Sequence, residues 1–486
     1  MRTISRRDYL KGMAAAVAAP ALGRASFAQD IALPKLPKLP PLPASDALLL
    51  QPGSALFNQY QAAYNKRTQL QPKLRALCKT PKAVATLIDW SRQNGLPFAL
   101  RSGGHSYEGL SQSSGVAIDT RLMNQVTVDK ANKTMTVGAG ASLGDIYKKI
   151  GAINFGFPGG SCPTVGVTGH ALGGGYGFIA RPFGLAGDSL LWAELVDAKG
   201  NIVEADAQQN ADLFWALRGG GGGSFGAVTR MRFKIYPVNH IVRMRAKWAL
   251  APAQAAKVVQ AWQTWAPNAP ATITSVMGIS RGGGGTIALA CSCQSTGSVV
   301  EATAEFAKLT KVVAPAQTAI AQMTYLQAVN AAAGGQSGWN YLTVLQKAKS
   351  DYVRTPLGAA GIATLLSEIL KSPAVGAICD AYGGAISGVA DDATAFAHRS
   401  GMLFSIQYYI NWTTAAGGVT AVKRIRDLYA AMRPHVSGAA YVNYCDLDLP
   451  DYAQAYWGQN LTRLRQIKSA VDPDNVFRHA QSVPLA

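Results

Sequence analysis

The chain has 486 residues, too many for one hydrophobic core, so two or three folding units are expected. Hydrophobic residues make up 48% and charged residues 15%, which excludes a disordered chain. The net charge of +19 comes without a basic run interleaved with aromatics and without a zinc-finger or RNA-binding signature, so nucleic acid is not the expected partner; a solvated basic surface that favours anionic substrates or envelope polymers is.

Residues 1–28 read as a targeting segment. Ser5-Arg6-Arg7-Asp8-Tyr9-Leu10-Lys11 resembles the twin-arginine export motif, and an apolar run over 12–23 precedes a small-residue site at Ser26-Phe27-Ala28. The run is shorter than the roughly 20 helical residues that span a bilayer, so no membrane span is expected and the protein is assigned to the periplasm or exterior. Residues 29–45 form a proline-rich linker, read as a stiff extended tether over 33–43.

Residues 46–238 alternate helical and extended patterns. Residues 82–94 are amphipathic and stop at Gly95, and 96–100 form a short apolar strand entering a glycine loop. Strands are predicted over 116–119, 126–128 and 134–137, and a helix over 143–150. A glycine-dense stretch covers 156–187. Strands over 191–197 and 202–204, a helix over 213–217 and a strand over 228–236 follow. Composition shifts near Pro237. Residues 239–440 read as a second α+β unit with alanine-rich helices and strands at 286–290 and 402–410, and 441–486 return to punctuated motifs. The fold class is α+β, with a first domain that the chain leaves and rejoins.

Six cysteines are present: Cys78, Cys162, Cys291, Cys293, Cys379 and Cys445. Cys291 and Cys293 stand two apart in an apolar strand and share a face. Neither spacing nor neighbours suit zinc, so no metal site is expected, and buried thiols or one disulfide are the alternatives.

The glycine loops hold the chemistry. None ends in Gly-Lys-Ser/Thr, so none is a P-loop, and Gly138-Ala139-Gly140-Ala141-Ser142-Leu143-Gly144 lacks the βαβ context of a dinucleotide fingerprint. Four separated motifs stand out: Arg101-Ser102-Gly103-Gly104-His105-Ser106; Gly160-Ser161-Cys162-Pro163-Thr164-Val165-Gly166; Gly169-His170-Ala171-Leu172-Gly173-Gly174-Gly175-Tyr176-Gly177; and Tyr441-Val442-Asn443-Tyr444-Cys445-Asp446. Taken together, and with 212–220 and 472–477, they resemble the FAD-linked oxidase superfamily in its berberine-bridge-enzyme-like branch.

The resemblance implies a two-lobed FAD-binding domain, completed by the C-terminal segment, and a substrate domain whose antiparallel sheet is covered by helices. It implies FAD held by two covalent bonds, from His105 to the flavin 8α-methyl and from Cys162 to ring carbon C6. Arg101, Ser102, Gly103, Gly104 and Ser106 would cradle the pyrophosphate through backbone N–H groups. Thr164, Val165, Gly166, Gly169, Gly174, Gly177, Val228 and Asn443 complete the implied cofactor contacts. His170 falls where the family places a histidine near the flavin N1–C2 carbonyl, as a cationic or donating imidazole. Val165 matches the position that gates oxygen.

Tyr444 is the implied base, with Tyr441 as the alternative. Gln407 lies on the substrate side and Tyr176 beside the ring. A tyrosine acting near neutrality needs positive charge or donors nearby to lower its pKa of about 10. The implied activity is hydride removal from a hydroxylated small molecule (a sugar, oligosaccharide or other alcohol) to flavin N5, with molecular oxygen as acceptor giving H2O2. Two alternatives stand beside it: a dehydrogenase of a secondary-metabolite alcohol or phenol with another acceptor, and a flavin-free envelope-binding protein on the same scaffold.

Overall fold

The computed structural model describes residues 36–486. The export segment 1–28 and the first part of the linker lie outside the described residues. From residue 36 the proline-rich stretch is not a free-standing tether. Leu36, Leu39 and Leu42 pack on the first lobe, and the Trp90 indole donates to the Lys38 carbonyl over 3.0 Å. The reason lies in the spacing: an extended proline helix repeats every three residues, so leucines three apart share one side.

The first lobe is a four-stranded sheet of order β1-β2-β4-β3, with β1 Ala47–Leu50, β2 Leu74–Cys78, β3 Phe98–Arg101 and β4 Val116–Asp119. β2, β4 and β3 run parallel, which requires a crossover, and the helix Pro81–Gln93 supplies it. Thr80 caps that helix by accepting from the Ala83 N–H, Pro81 opens it, and the chain leaves at Asn94 and Gly95. Pro97 has no N–H for the ladder, so the strand starts one residue later, at Phe98.

The second lobe holds β5 Val126–Asp129, β6 Thr134–Gly138, β7 Phe155–Gly156, β8 Leu190–Val196, β9 Ile202–Ala205, β10 Ala227–Lys234 and β11 Tyr236–Pro237. Five of these form an antiparallel sheet of order β5-β6-β10-β8-β9. β10 alternates strictly at its end: Met231 and Phe233 enter the core while Arg230, Arg232 and Lys234 face solvent. The helix Leu143–Gly151 starts with a capping box between Ser142 and Asp145, worth about 1 kcal/mol.

The unit expected to be the substrate domain is a seven-stranded antiparallel sheet of order β15-β12-β14-β13-β17-β18-β16. Its strands are β12 Ile241–Leu250, β13 Ile273–Arg281, β14 Ile287–Ser295, β15 Gln317–Met323, β16 Leu345–Val353, β17 Val375–Ala381 and β18 Phe404–Trp412. One face packs Met244, Trp248, Met277, Cys291, Cys293, Cys379, Ile406 and Tyr408 into a common core with Trp262, Phe306, Leu365 and Ile425 from four covering helices. Cys291 and Cys293 do share that face, 3.6 Å apart, as thiols. The opposite face carries the polar residues and looks toward the lobes.

The C-terminal segment knits the lobes together. Tyr456, Trp457, Leu464 and Ile467 join the second lobe's core, and Val476 and Phe477 join the first's. The α+β architecture and the helix-covered antiparallel sheet are as the sequence implied. No described helix is long and apolar enough to cross a membrane.

Candidate active site

The first glycine loop leaves the end of β3 and meets the second glycine loop backbone to backbone. A Cβ on Gly103 would stand 2.2 Å from the Gly166 nitrogen, and one on Gly166 would stand 2.3 Å from the Gly103 nitrogen. Any side chain at either position would drive the lobes apart. The Ser102 and Thr168 hydroxyls both donate to the Ala139 carbonyl over 2.7 Å, which pins this junction to the exit of β6. Among the described residues, no backbone carbonyl accepts from the N–H groups of Gly103, Gly104 or His105. A Cβ on Gly169 would meet nothing within 4 Å. A paired glycine junction with uncommitted donors fits the pyrophosphate of a dinucleotide.

Arg101 sits beneath that loop. It is 1% exposed, its guanidinium is 3.7 Å from Asp119, and it donates to the Ala62 carbonyl. It therefore supports the loop from below and does not line it. Ser106 turns away too: its Oγ lies 3.6 Å from Cys445 Sγ and accepts from the Leu110 N–H. Val228 belongs to the second lobe's core. Those three side chains are not gathered with the rest.

His105 is held on three sides. Tyr64 stacks on it at 4.8 Å, Tyr341 meets it edge-on at 5.2 Å, and its Nε2 lies 3.1 Å from Thr164 Oγ1. Burial, with the charge of Arg101, pushes its pKa down to about 4, so the imidazole is neutral at pH 7 and can act as a nucleophile. Thr164 follows Cys162 by two residues. Cys162 is exposed, whereas the other five cysteines are buried. One imidazole and one accessible thiol thus stand on the same wall, a donor set that suits a doubly attached ring.

Of the two forms expected of His170, cationic or donating, the structure favours the neutral, donating one. Its Nε2 accepts from the Gly160 N–H at 3.0 Å, and desolvation pushes its pKa down to about 4. The ring is neutral with its proton on Nδ1. It clamps the Cys162 loop, and its carbonyl accepts from Asn443 Nδ2 at 2.9 Å.

Asn443 and Tyr441 buttress the third glycine loop. Tyr441 Oη accepts from both the Gly175 N–H and Asn443 Nδ2, each at 2.9 Å. Gly173 lies against Asn443, Gly174 has φ +102°, and a Cβ on Gly177 would stand 1.9 Å from the Gly159 carbonyl oxygen. Tyr176 donates to the Ala381 carbonyl at 3.0 Å and stacks on Tyr382.

Tyr444 stands apart from these buttresses. It stacks on Tyr107 at 5.8 Å with the rings 7° from parallel, and meets Tyr441 edge-on at 4.9 Å. Gln407 on β18 donates to Tyr107 Oη at 3.0 Å. Tyr444 Oη donates to Asp380 Oδ2 at 3.4 Å, and Ser405 Oγ approaches the same oxygen at 3.4 Å. Burial pushes Tyr444 well above the ordinary tyrosine range, with the Asp380 charge next in weight. Burial likewise pushes Asp380 up to about 7, since only two hydroxyls offset the lost water. The lowering of the tyrosine that the sequence called for is absent. The group that ionises near neutrality is the aspartate beside it.

Sequence reasoning missed Asp380, Tyr107, Tyr64 and Tyr341. For Asp380 a signal existed, because one acidic residue inside the apolar run Val375–Ala381 must be buried. Tyr107 directly follows the first motif. Tyr64 and Tyr341 come from loops far away in sequence, and nothing local marks them.

Comparison with known proteins supplies the family. An FAD binding domain model matches residues 72–206, and a berberine and berberine-like model matches 440–484. Berberine bridge enzyme-like D-1 of Nicotiana tabacum is 33% identical over 495 residues, covering 84% of each chain. Monolignol oxidoreductase AtBBE-like 13 of Arabidopsis thaliana is 33% identical over 426 residues, covering 80% of this chain and 79% of that one. The solved structure of Physcomitrella patens BBE-like 1 is 32% identical and superposes with a TM-score of 0.86 over 91% of this chain and 98% of the other. With its glycine junction, histidine and thiol arranged for a flavin, the chain belongs to the berberine-bridge-enzyme-like family of FAD-linked oxidoreductases.

Proposed function

We propose that this FAD-linked oxidoreductase is an oxidase of hydroxyl groups, acting on a sugar, oligosaccharide or comparable alcohol. The observation that carries the proposal is the Tyr444–Asp380 pair: a phenol that can reach a substrate hydroxyl, backed by a buried carboxyl that ionises near pH 7. Bound FAD supplies the two-electron acceptor for the breaking C–H bond. His105 and Cys162 would hold it covalently, and a neutral His105 beside an exposed Cys162 supports that attachment.

The chain's own residues manage the proton. Tyr444 Oη accepts the substrate's hydroxyl proton while its own proton passes to Asp380 Oδ2. A free phenolate is never needed, which fits a tyrosine whose pKa is raised. Tyr441 is unsuited to the role, because two donors already occupy its oxygen and neither is a proton acceptor. Gln407 and Tyr107 fix the ring of Tyr444 from the other side. Gln407 offers no charge at its place in the sheet, so the site suits neutral alcohol chemistry better than amine chemistry. The half-buried Val165 beside the Cys162 loop supports oxygen as the second substrate. Export by the twin-arginine route remains part of this proposal and rests on 1–28.

A phenolic allyl alcohol is the second reading, favoured by the aromatic wall of Tyr107, Tyr176 and Tyr444 and by the relative named for monolignols. Anaerobic mixing with panels of sugars and of aromatic alcohols, followed by peroxide release in air, tests both. Flavin bleached by neither panel would overturn the proposal.

A further inference from the structure

We propose that Lys347 is a positioning residue for the proton relay. It clamps the chain segments that carry Tyr107 and Tyr444 to each other at the edge of the large sheet, and so sets the contact between Tyr444 and Asp380. This rests on the Tyr444–Asp380 relay proposed above and names what holds it in place.

The starting point is β16. An edge strand ordinarily shows a row of backbone groups to water. β16 is the last strand of its sheet, yet residues 346–353 are all buried, Lys347 and Lys349 among them. The turns Lys66–Thr68 and Val442–Tyr444 lie against it. A lysine ammonium stays out of water only where carboxylates replace the water. Lys347 Nζ stands 2.6 Å from Glu108 and 2.5 Å from Asp446, and Lys349 Nζ stands 2.5 Å from the other oxygen of Asp446. Burial works against the charge of Lys347, but Asp446 and Glu108 more than restore it, so the ammonium persists.

Those two carboxylates sit on the two segments the relay uses. Glu108 directly follows Tyr107, and Asp446 follows Tyr444 by two residues. The segments run side by side, with Ser106 Oγ 3.6 Å from Cys445 Sγ and the Tyr107 ring stacked on that of Tyr444. Among the described residues, Lys347 alone pairs with both acids: Arg67 reaches only Glu108, and Lys349 reaches only Asp446 and Asp448. Asn65 ties the first segment to the same strand, donating to the Tyr107 carbonyl at 2.6 Å and to the Gln346 carbonyl at 2.9 Å, but does not touch the second.

Loss of Lys347 therefore leaves each acid one partner and removes the charged link between the segments. The contact that depends on that link is the longest in the relay. Tyr444 Oη and Asp380 Oδ2 are 3.4 Å apart, near the limit for a hydrogen bond, so a shift of a few tenths of an ångström breaks it. Tyr107 is held from the other side by Gln407, and Asp380 is fixed in the middle of the sheet. The Tyr444 segment is the part left to move.

The titratable groups facing Asp380 are Tyr176, Tyr382, Tyr441, Tyr444 and the thiol of Cys379, all raised by burial and all neutral at pH 7. Tyr444 and Ser405 donate to it and favour its charged form. Moving Tyr444 away raises the pH at which Asp380 ionises. General loosening of the fold admits water and lowers it. The direction of the shift thus tells positioning from damage.

The test compares Lys347→Met and Lys347→Arg in the full-length flavin-loaded enzyme, with anaerobic stopped-flow reduction by a sugar or alcohol that the wild type oxidises. Lys347→Met is expected to be about 10- to 100-fold slower at saturating substrate, with half-saturation moved less than about twofold, since orientation and not binding is lost. Its rate should level off at a higher pH than in the wild type. Lys347→Arg, whose fork can still reach two carboxylates, should recover most of the rate. If Lys347→Met does not fold, Glu108→Met releases the same link from its other end, and the same readings apply. Where Asp380→Asn slows reduction, an unchanged rate in Lys347→Met, a midpoint that stays or falls, or an arginine variant as slow as the methionine one would overturn the inference. Crystal structures of the variants separate the clamp from the relay. Tyr444 displaced from Asp380 in Lys347→Met, in an enzyme whose reduction is indifferent to Asp380→Asn, sinks the relay and leaves the clamp standing. Tyr444 unmoved sinks the clamp, whatever Asp380→Asn does.

Discussion

Replacing Asp380 by asparagine separates catalysis from stability, because the same buried carboxyl enters both. An ordinary aspartate at 3.8, raised here to about 7 by burial, corresponds to about 4 kcal/mol of discrimination against the charged form. The sign follows from where the proton sits. The folded state holds it up to about pH 7, whereas the unfolded chain releases it near 4. The carboxyl's contribution to stability is therefore whole below pH 4, declines as pH rises, and is lost by pH 7. Between pH 5 and 8 the wild-type protein should lose about 2–3 kcal/mol from this group, and Asp380→Asn should not. Catalysis runs the other way, since only the carboxylate accepts a proton. Substrate-driven flavin reduction, followed anaerobically by stopped flow, should rise about tenfold per pH unit below 7 and level off above it. In Asp380→Asn it should fall by about 10²- to 10⁴-fold and lose that slope. An asparagine variant that kept the slope through pH 7 would refute the role of Asp380 as proton acceptor; one that kept the wild-type stability profile would refute its buried ionisation.

Mass spectrometry of digested protein should find flavin on the peptides of both His105 and Cys162, and Cys162→Ala should retain the histidine link alone. Lys347, 2% exposed, bridges Glu108 and Asp446 at 2.6 and 2.5 Å, so Lys347→Met leaves Glu108 to Arg67 and Asp446 to Lys349 and should cost about 1–3 kcal/mol in urea unfolding; Lys347→Arg should recover part of it. Gly103→Ala puts a methyl 2.2 Å from the Gly166 nitrogen, and the expected result is protein without bound flavin, read as loss of the yellow absorbance. His170→Ala leaves the Gly160 N–H without its acceptor at a cost of about 1–3 kcal/mol, and incomplete attachment at Cys162 is the expected mass-spectrometric consequence.

What the sequence disclosed and what it hid divide along a physical line. Local chemistry was legible. The amphipathic run over 82–94 announced a helix ending at Gly95, the stretch after 219–226 announced β10, and glycine clusters announced loops. Electrostatics was not, since it depends on what is packed around a group. Tyr444 was assigned the function of an easily charged group and His170 that of a cationic or donating imidazole, and the structure surrounds both with protein. Burial then works against ionisation in each: histidine stays neutral, and tyrosine keeps its proton. A motif names which residue meets the cofactor, but the protonation state it works in is set by neighbours such as Asp380, which sits 64 residues before Tyr444 and reaches it only because β17 lies in the middle of the sheet.

The same reasoning explains why the substrate domain was the hardest stretch to read. Its informative residues lie across strands, one from each, and no window of sequence contains two of them together. Asp380 and Gln407 come to one face of the sheet through a register of paired strands, with alternation deciding which side each one takes. A shift of one residue in β12 would send Arg245 into the helix-packed core and Met244 into the cleft, at the cost of burying an unpaired guanidinium. The hydrophobic alternation of β12 that excludes this slip also sets its three cations on the face opposite the helices. Folding and the face each side chain takes are there written in one pattern, and the pattern can be read once the order of the strands is known.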